Sequence, residues 1–239
     1  KLTVRDGDST DDYSAINFLG PGDLRLTDVR ILSNRAVYSA VANQGTAALR
    51  RVVFARNVAT GCCPALYNVA GEMRLTDVVF DRNRAANDTG AMYSDGASAV
   101  FNRVTFSRNH AGTLGGALIT ANGTNTLRNV TFSGNSADSA GGALLLHTDA
   151  TLNNVTMFKN IADRDDDDGS GNGGAIYGSG GVATVSNSIL AGNRDGGDGL
   201  NSCGAGGVES GGFNLFGPEF GCVILLAPGD VYATASQVG

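Results

Sequence analysis

The stretch FNRVTFSRNHAGTLGGALIT at residues 101–120 returns, position for position, as LRNVTFSGNSADSAGGALLL at residues 127–146. Phe106 and Phe132, Asn109 and Asn135, Ala111 and Ala137, Gly115-Gly116 and Gly141-Gly142, and Leu118 and Leu144 fall in matching places. Extending the register both ways aligns Asn34, Asn57, Asn83, Asn109, Asn135, Asn160 and Asn193, at steps of 23, 26, 26, 26, 25 and 33 residues. Eight residues before each Asn stand Leu26, Leu49, Leu75, Phe101, Leu127, Leu152 and Val185. Five before stand Val29, Val52, Val78, Val104, Val130, Val155 and Ser188, and three before stand Ile31, Phe54, Phe80, Phe106, Phe132, Met157 and Leu190. A fixed period of this length marks a solenoid, in which a single unit cannot bury its apolar face and stacking supplies the core.

Within the unit, the Val-x-Phe alternation reads as a short strand with one face buried. An Asn recurring at one place can stack, each amide bonding the next coil and satisfying a polar group at a buried corner. Gly-Gly before Ala-Leu fits a tight bend where backbones approach closely. The motif Leu-x-x-Val-x-Phe-x-x-Asn-x-Ala also satisfies the leucine-rich-repeat template. That alternative needs a helical or similar segment with further leucines, whereas here the remainder is Gly, Ala, Thr, Ser and Asn with a second strand-like run at Ala117 to Thr120. The expectation is therefore an all-β, right-handed parallel β-helix of about 7–8 coils with a period near 26 residues and a rise of about 4.8 Å per coil. Residues 1–23 read as an N-terminal cap or cut edge, 24–200 as the solenoid, and 201–239 as an irregular C-terminal cap.

Composition fits that reading. The 239 residues include 35 Gly and 21 Asn but only 4 Pro and no Trp, which suits thin, turn-rich layers. At 42% hydrophobic and 17% charged, the chain can bury a core and is not of the disordered class. A net charge of −6 argues against general nucleic-acid binding. No apolar run approaches the roughly 18 residues of a membrane helix, and no signal peptide stands at Lys1, so an exported protein would be represented here by a mature or excised piece.

Phe106 to Asn109 with Gly115 to Leu118, and Phe132 to Asn135 with Gly141 to Leu144, resemble the repeat of chlamydial polymorphic outer-membrane proteins and related β-helix surface proteins. The run from Ser186 to Leu190 through Gly211-Gly212-Phe213-Asn214-Leu215 is similar to the end of bacterial choice-of-anchor β-helix proteins. The resemblance spans roughly residues 24–217 and implies the fold and a secreted or cell-surface location. Early copies depart from it, with Pro64-Ala65 and Thr89-Gly90-Ala91 where later ones have Gly-Gly.

Stacking also aligns residues that carry chemistry. Positions flanking the ladder Asn supply Arg56, Arg82, Arg84, Arg108 and Lys159, a basic ridge on an acidic protein that invites an anionic ligand or interleaved acids such as Asp81. Ten residues after the Asn, Tyr67 and Tyr93, with Tyr177 in the shifted last copy, give an aromatic stripe interrupted by Ile119 and Leu145, which could stack on sugars or a partner. Six before it, Asp28, Arg51, Asp77 and Arg103 alternate in sign, as a ladder of surface ion pairs would. In the longest step, Asp165, Asp166, Asp167 and Asp168 form an acidic insertion whose oxygens could ligate Ca²⁺, at a spacing that matches neither an EF-hand nor a Ca²⁺-binding nonapeptide. No other cofactor is expected.

Cys203 and Cys222 would close a 20-residue loop and stabilise by roughly 3 kcal/mol. Cys62 and Cys63 lie about six coils away; a bond to each other, free thiols and a bond to another chain all stay open. This cysteine usage suits an oxidising, exported setting. Sequons begin at Asn87, Asn122, Asn129 and Asn154. Lyases and hydrolases of polysaccharides use β-helices, yet the outward positions Arg30, Val53, Val79, Thr105, Thr131, Thr156 and Ile189 gather no paired carboxylates. His110 and His147 have no catalytic partner at a readable spacing. The sequence thus points to a spacer, adhesin or assembly module contacting surface glycans or other copies and proteins, with a carbohydrate-active enzyme or its inactive relative as the alternative.

Overall fold

Each coil turns three corners, and at most of them a residue takes the left-handed backbone. The first corner lies six residues before the ladder Asn, at Asp28, Arg51, Asp77, Arg103, Asn129, Asn154 and Asn187, with φ of 51–57°. The second directly precedes it, at Asp6, Ser33, Arg56, Arg82, Arg108, Gly134, Lys159 and Gly192, with φ of 52–63°. The third lies six after it in four coils, at Cys63, Thr89, Gly115 and Gly141, and at Gly173 in the lengthened coil, with φ of 61–68°. Between corners the backbone is extended and pairs in parallel with the same segment of the next coil. In this computed structural model, residues 2–9, 14–18, 20–164, 173–196, 199–200, 202–205, 207–218, 221 and 225–233 are described. They form a right-handed parallel β-solenoid of about 7 turns, with sheets of 14, 9 and 8 strands. Among the described residues there is no helix, and so none long and apolar enough to cross a membrane.

Segment 1–23, expected as a cap or cut edge, supplies a further coil at its described residues. Leu2–Arg5, Asp8–Ser9 and Ser14–Phe18 pair in parallel with Val29–Leu32, Arg35–Ala36 and Ser39–Asn43. The tail is also more regular than its Gly-rich composition suggests. Cys203–Gly204, Val208–Ser210, Leu215–Phe216 and Val231–Tyr232 each continue a parallel sheet.

The register brings like onto like. Leu75 pairs with Leu49 and Phe101, and Phe80 with Phe54 and Phe106. The rings of Phe54, Phe80, Phe106 and Phe132 stack within 4° of parallel at centroid spacings of 4.7–5.0 Å. All four are fully buried, and each stacked pair contributes about 0.5–1.5 kcal/mol beyond its apolar area. Where Ser188 replaces Val in its column, its hydroxyl accepts the Val155 N–H at 3.0 Å and donates to the Ser186 carbonyl at 2.6 Å, so the buried polar atom is satisfied.

The Asn column is a continuous buried ladder. Asn109 Oδ1 accepts both the backbone N–H and the amide Nδ2 of Asn83, each at 3.0 Å. Asn109 Nδ2 donates in turn to the Phe80 carbonyl at 3.0 Å and to Asn135 Oδ1 at 2.9 Å. Amide-to-amide bonds link Asn34, Asn57, Asn83, Asn109, Asn135, Asn160 and Asn193 in succession. Gly7 holds the corresponding place in the first coil and donates its N–H to Asn34 Oδ1 at 3.1 Å. A second, mixed polar column closes the third sheet at Asn43, Asn68, Ser94 and Thr120, all buried, with Asn43 Nδ2 donating to Asn68 Oδ1 at 2.9 Å.

The Gly-Gly pair also has a physical reason. Its first member is the left-handed residue of the third corner. The second has no room for a side chain: a Cβ on Gly116 would lie 2.1 Å from the Gly142 carbonyl oxygen. Thr89 and Cys63 occupy the first position without glycine's freedom.

Two substitutions test these constraints. Asn109→Leu strands the donors of Asn83 and the Phe80 carbonyl, and should cost about 2–4 kcal/mol in urea unfolding with an unchanged m-value. Thr89→Gly relieves a β-branched residue of φ 62° and removes a buried hydroxyl. It should raise stability by about 1 kcal/mol; a fall of that size would refute the corner's preference for glycine.

Candidate functional site: a cationic groove at the second corner

The second corner and the outer face of the strand before it enclose an open groove of about 440 Å³, lined by Arg5, Arg30, Arg56 and Arg108 among cations and by Asp6 and Asp81 among acids. Val53 and Val79 form its floor, and Ser33 and Ser107 add hydroxyls. Parallel register places Arg56, Arg82 and Arg108 on three successive coils, because Val79 pairs with both Val53 and Thr105. Coil spacing then sets like charges about 4.8 Å apart along the corner's backbone.

Asp81 partly neutralises this edge. Its Oδ2 takes Arg82 Nη1 at 2.7 Å, and its Oδ1 takes Arg108 Nη2 at 3.0 Å and the Ser107 hydroxyl at 2.6 Å. Burial pushes the Asp81 carboxyl up, but the hydrogen bonds from Ser107 and Arg108 and the charges of Arg108 and Arg82 outweigh it, holding the group below the usual carboxylate range. Arg5 has its own acid in Asp6, at 2.9 Å. Among the described residues, neither Arg30 nor Arg56 has an ion-pair partner.

Arg56 is also strained. A left-handed non-Gly residue costs about 1–2 kcal/mol, and the same column carries Gly134 and Gly192. The first corner shows the contrasting solution. Arg51 grips Asp28 through Nε and Nη2, both at 2.7 Å, and Arg103 grips Asp77 at 2.6 and 3.0 Å. The sign-alternating column is thus two bidentate pairs, continued by amide bonds from Asn129 to Asn102 and from Asn154 to Asn129. Side-chain hydrogen bonding by Arg103 holds the Asp77 carboxyl down, against the small effect of its desolvation.

The expected ridge divides. Arg56 and Arg108 share the groove, and Arg82 joins it through Asp81. Arg84 turns to another face, lining a separate groove of about 360 Å³ with Arg35 and Asp138. A two-residue step along a chain that turns sharply explains this: Arg82 is the corner residue, whereas Arg84 begins the next sheet strand. Lys159 stands beyond Gly134, with its Nζ 4.9 Å from the Phe158 ring centroid. Arg5 and Arg30 line the groove without having been singled out by the sequence pattern, although Arg30 stands at a readable outward position; Arg5 belongs to a coil that lacks the ladder Asn.

The tyrosine column is corrected at Ile119 and Leu145, which are buried, whereas Tyr67 and Tyr93 are in register, meet edge to face at 5.5 Å and, like Tyr177, are half-buried. Desolvation, then the nearby Asp95 charge, pushes both the Tyr67 and the Tyr93 phenol up. His110 is a second correction. It is 7% exposed, its Nδ1 lies 3.0 Å from the Ser136 hydroxyl, and its Nε2 lies 3.5 Å from Asp138 Oδ2. These residue types could serve nucleophilic catalysis, but the N–H groups of Ser136, Asp138 and Ser139 are committed to Asn109, Ala111 and Thr113 of the preceding coil. The His110 contacts to Ser136 and Asp138 tie one coil to the next. His147 is exposed, with Nδ1 3.4 Å from the Ser179 carbonyl.

Cys62 and Cys63 are bonded to each other, with S–S 2.13 Å. Cys203 is disulfide-bonded and buried, and Cys222, its expected partner, lies outside the described residues. Asp165 to Asp168 also lie outside them. Among the described residues no group of three or more His, Cys, Asp or Glu side chains is placed to hold a metal ion.

The groove's electrostatics predict an acid-dependent variant. Because the Asp81 value is lowered by folding, its contribution is complete above the unfolded carboxylate range and is lost as pH falls through the folded value. Asp81→Asn should lower the melting temperature by a constant amount from pH 5 to 8, and the gap should close below about pH 4. A gap unchanged at pH 2 would contradict the assignment.

Among comparisons with known proteins, a family model described as "Right handed beta helix region" matches residues 14–201. No curated protein and no solved structure matches the chain.

Proposed function

The chain belongs to the right-handed β-helix family, and on that premise we propose that it is a secreted or cell-surface module, a spacer or adhesin, whose second corner binds acidic polysaccharide. The observation that carries this reading is Arg56: exposed, left-handed, and without the carboxylate that compensates Arg51 and Arg103. Backbone strain at a residue with no ion-pair partner among the described residues is the kind of outlier from which a functional role can be argued. A chain of uronate or sulfate groups lying across successive coils would meet Arg30, Arg56 and the Arg82–Arg108 pair together, and multivalency would supply what each weak contact lacks. The resemblance of the repeat to polymorphic outer-membrane proteins and the wholly bonded Cys62–Cys63 pair support the extracellular setting.

Binding without cleavage is the expected outcome. Asp81 is held ionised by three donors and so is not arranged as the raised-pKa member of a hydrolytic pair, and Asp6 is engaged by Arg5. Polygalacturonate should bind weakly at low salt and release by 1 M, where the Debye length is about 3 Å. An Arg56, Arg82 and Arg108 to Gln triple variant should lose binding, and undiminished binding would remove the ridge from consideration. Arg56→Gly separates function from fold: stability should rise or hold while affinity falls several-fold. Appearance of unsaturated or shortened products would favour the enzymatic alternative.

A further inference from the structure

In the third corner, left-handed residues recur three positions before Leu66, Met92, Leu118, Leu144 and Ile176, and three of the five are glycines. Cys63 is the member bonded to its own neighbour. The closed ring of the Cys62–Cys63 bridge restricts the peptide between them, which is the restriction an ordinary L-residue lacks at φ 61°. Pro64 follows, where later coils have Gly90, Gly116, Gly142 and Gly174. It has no N–H to match the bond that Gly90 gives the Gly115 carbonyl. In compensation the Cys63 N–H bridges the carbonyls of Thr89 at 3.2 Å and Asp88 at 3.3 Å. On the other side Gly61 donates to the Val37 carbonyl at 2.7 Å. This short segment therefore joins the coils before and after it, and the hydrogen bonds hold only while Cys63 stays left-handed.

We propose that Cys62–Cys63 is a reducible clamp: a site of thiol–disulfide exchange with a dithiol reductant, whose oxidised form takes the place of glycine in the third corner of the Asn57 coil. Cys62 is the partly exposed member and Cys63 is fully buried, so the attacking thiolate reaches Cys62 Sγ. A mixed disulfide forms there as the Sγ–Sγ bond breaks, and Cys63 leaves as a thiolate that takes a proton. The second thiol of the reductant then closes the reductant's own disulfide and releases the Cys62 thiol. Two electrons enter the protein and two thiols result. Cys63 is then an unconstrained L-residue in a left-handed corner, and the segment from Gly61 to Leu66 opens locally. This inference is independent of glycan binding.

The test uses the full chain, with native-state amide exchange at residues 60–68 and thiol alkylation mapped by mass spectrometry. Dithiothreitol should add two alkylation sites at Cys62 and Cys63 and speed exchange there by roughly tenfold. A Cys62→Ser, Cys63→Ser double variant should exchange at the fast rate with or without reductant. A Cys62→Ser, Cys63→Gly variant should return to the slow rate and ignore reductant, which also separates this corner from any reduction at Cys203. Equal rates in the Ser and Gly variants would overturn the glycine-substitute role. Alkylation at Cys203 but not at Cys62 would overturn the exchange site, and two new thiols with unchanged exchange would overturn the clamp.

Discussion

In a parallel coil, every residue faces its own repeat one strand spacing away, and this self-encounter decides what each column can contain. Asn satisfies it because one amide carries both donor and acceptor: Asn109 accepts from Asn83 while donating to Asn135. Phe satisfies it because flat rings stack at nearly the strand spacing, 4.7–5.0 Å in this core. Charge does not satisfy it. An Arg column repels itself unless it alternates with acid, and the two outer corners take opposite courses. Asp28–Arg51 and Asp77–Arg103 alternate, while Arg56, Arg82 and Arg108 follow one another with a single Asp81, shared by Arg82 and Arg108.

The corners impose the second constraint. The triangular coil takes a left-handed residue at most of its bends, and glycine is the residue that takes this shape freely. The third corner conforms over Gly115, Gly141 and Gly173, whereas the second carries long cationic side chains at Arg56, Arg82, Arg108 and Lys159. Gly134 and Gly192 show that this column admits glycine. The Arg side chains are therefore retained against the local preference of the backbone, and the corner with the fewest internal partners for them is also the one that borders a groove.

The core was legible because period and chemistry agree: Val-x-Phe-x-x-Asn names inward positions directly, and Val52, Phe54 and Asn57 are all buried. Part of the outer surface was legible too, since the alternating column resolved into ion pairs. The direction of side chains around a corner was not. Arg82 and Arg84 are two residues apart, yet Arg82 turns to Asp81 at the first groove while Arg84 lines another, because the left-handed residue rotates the chain between them. The same effect hid the partners of His110, which lie 26 and 28 residues ahead, one coil on. Pairing Ser136 with His110 requires the coil register, not the sequence spacing. Cys63 was illegible for a related reason: nothing in a Cys-Cys dipeptide says that its second residue sits where later coils place glycine.

These features bear on how such a surface can diverge while the fold persists. Stability resides in columns whose members face inward and cannot change singly without stranding a neighbour, as Asn109 would strand Asn83 and Phe80. Outward columns carry no such coupling except through charge. A change at Arg30 or Arg56 therefore leaves the ladder and the Phe stack untouched, and a change to Gly at the second corner even relaxes the backbone. Sequence drift alone would favour glycine there. Arg56, Arg82, Arg108 and Lys159 nonetheless hold the left-handed position in four of the coils, and among the described residues a carboxylate compensates two of them, Arg82 and Arg108.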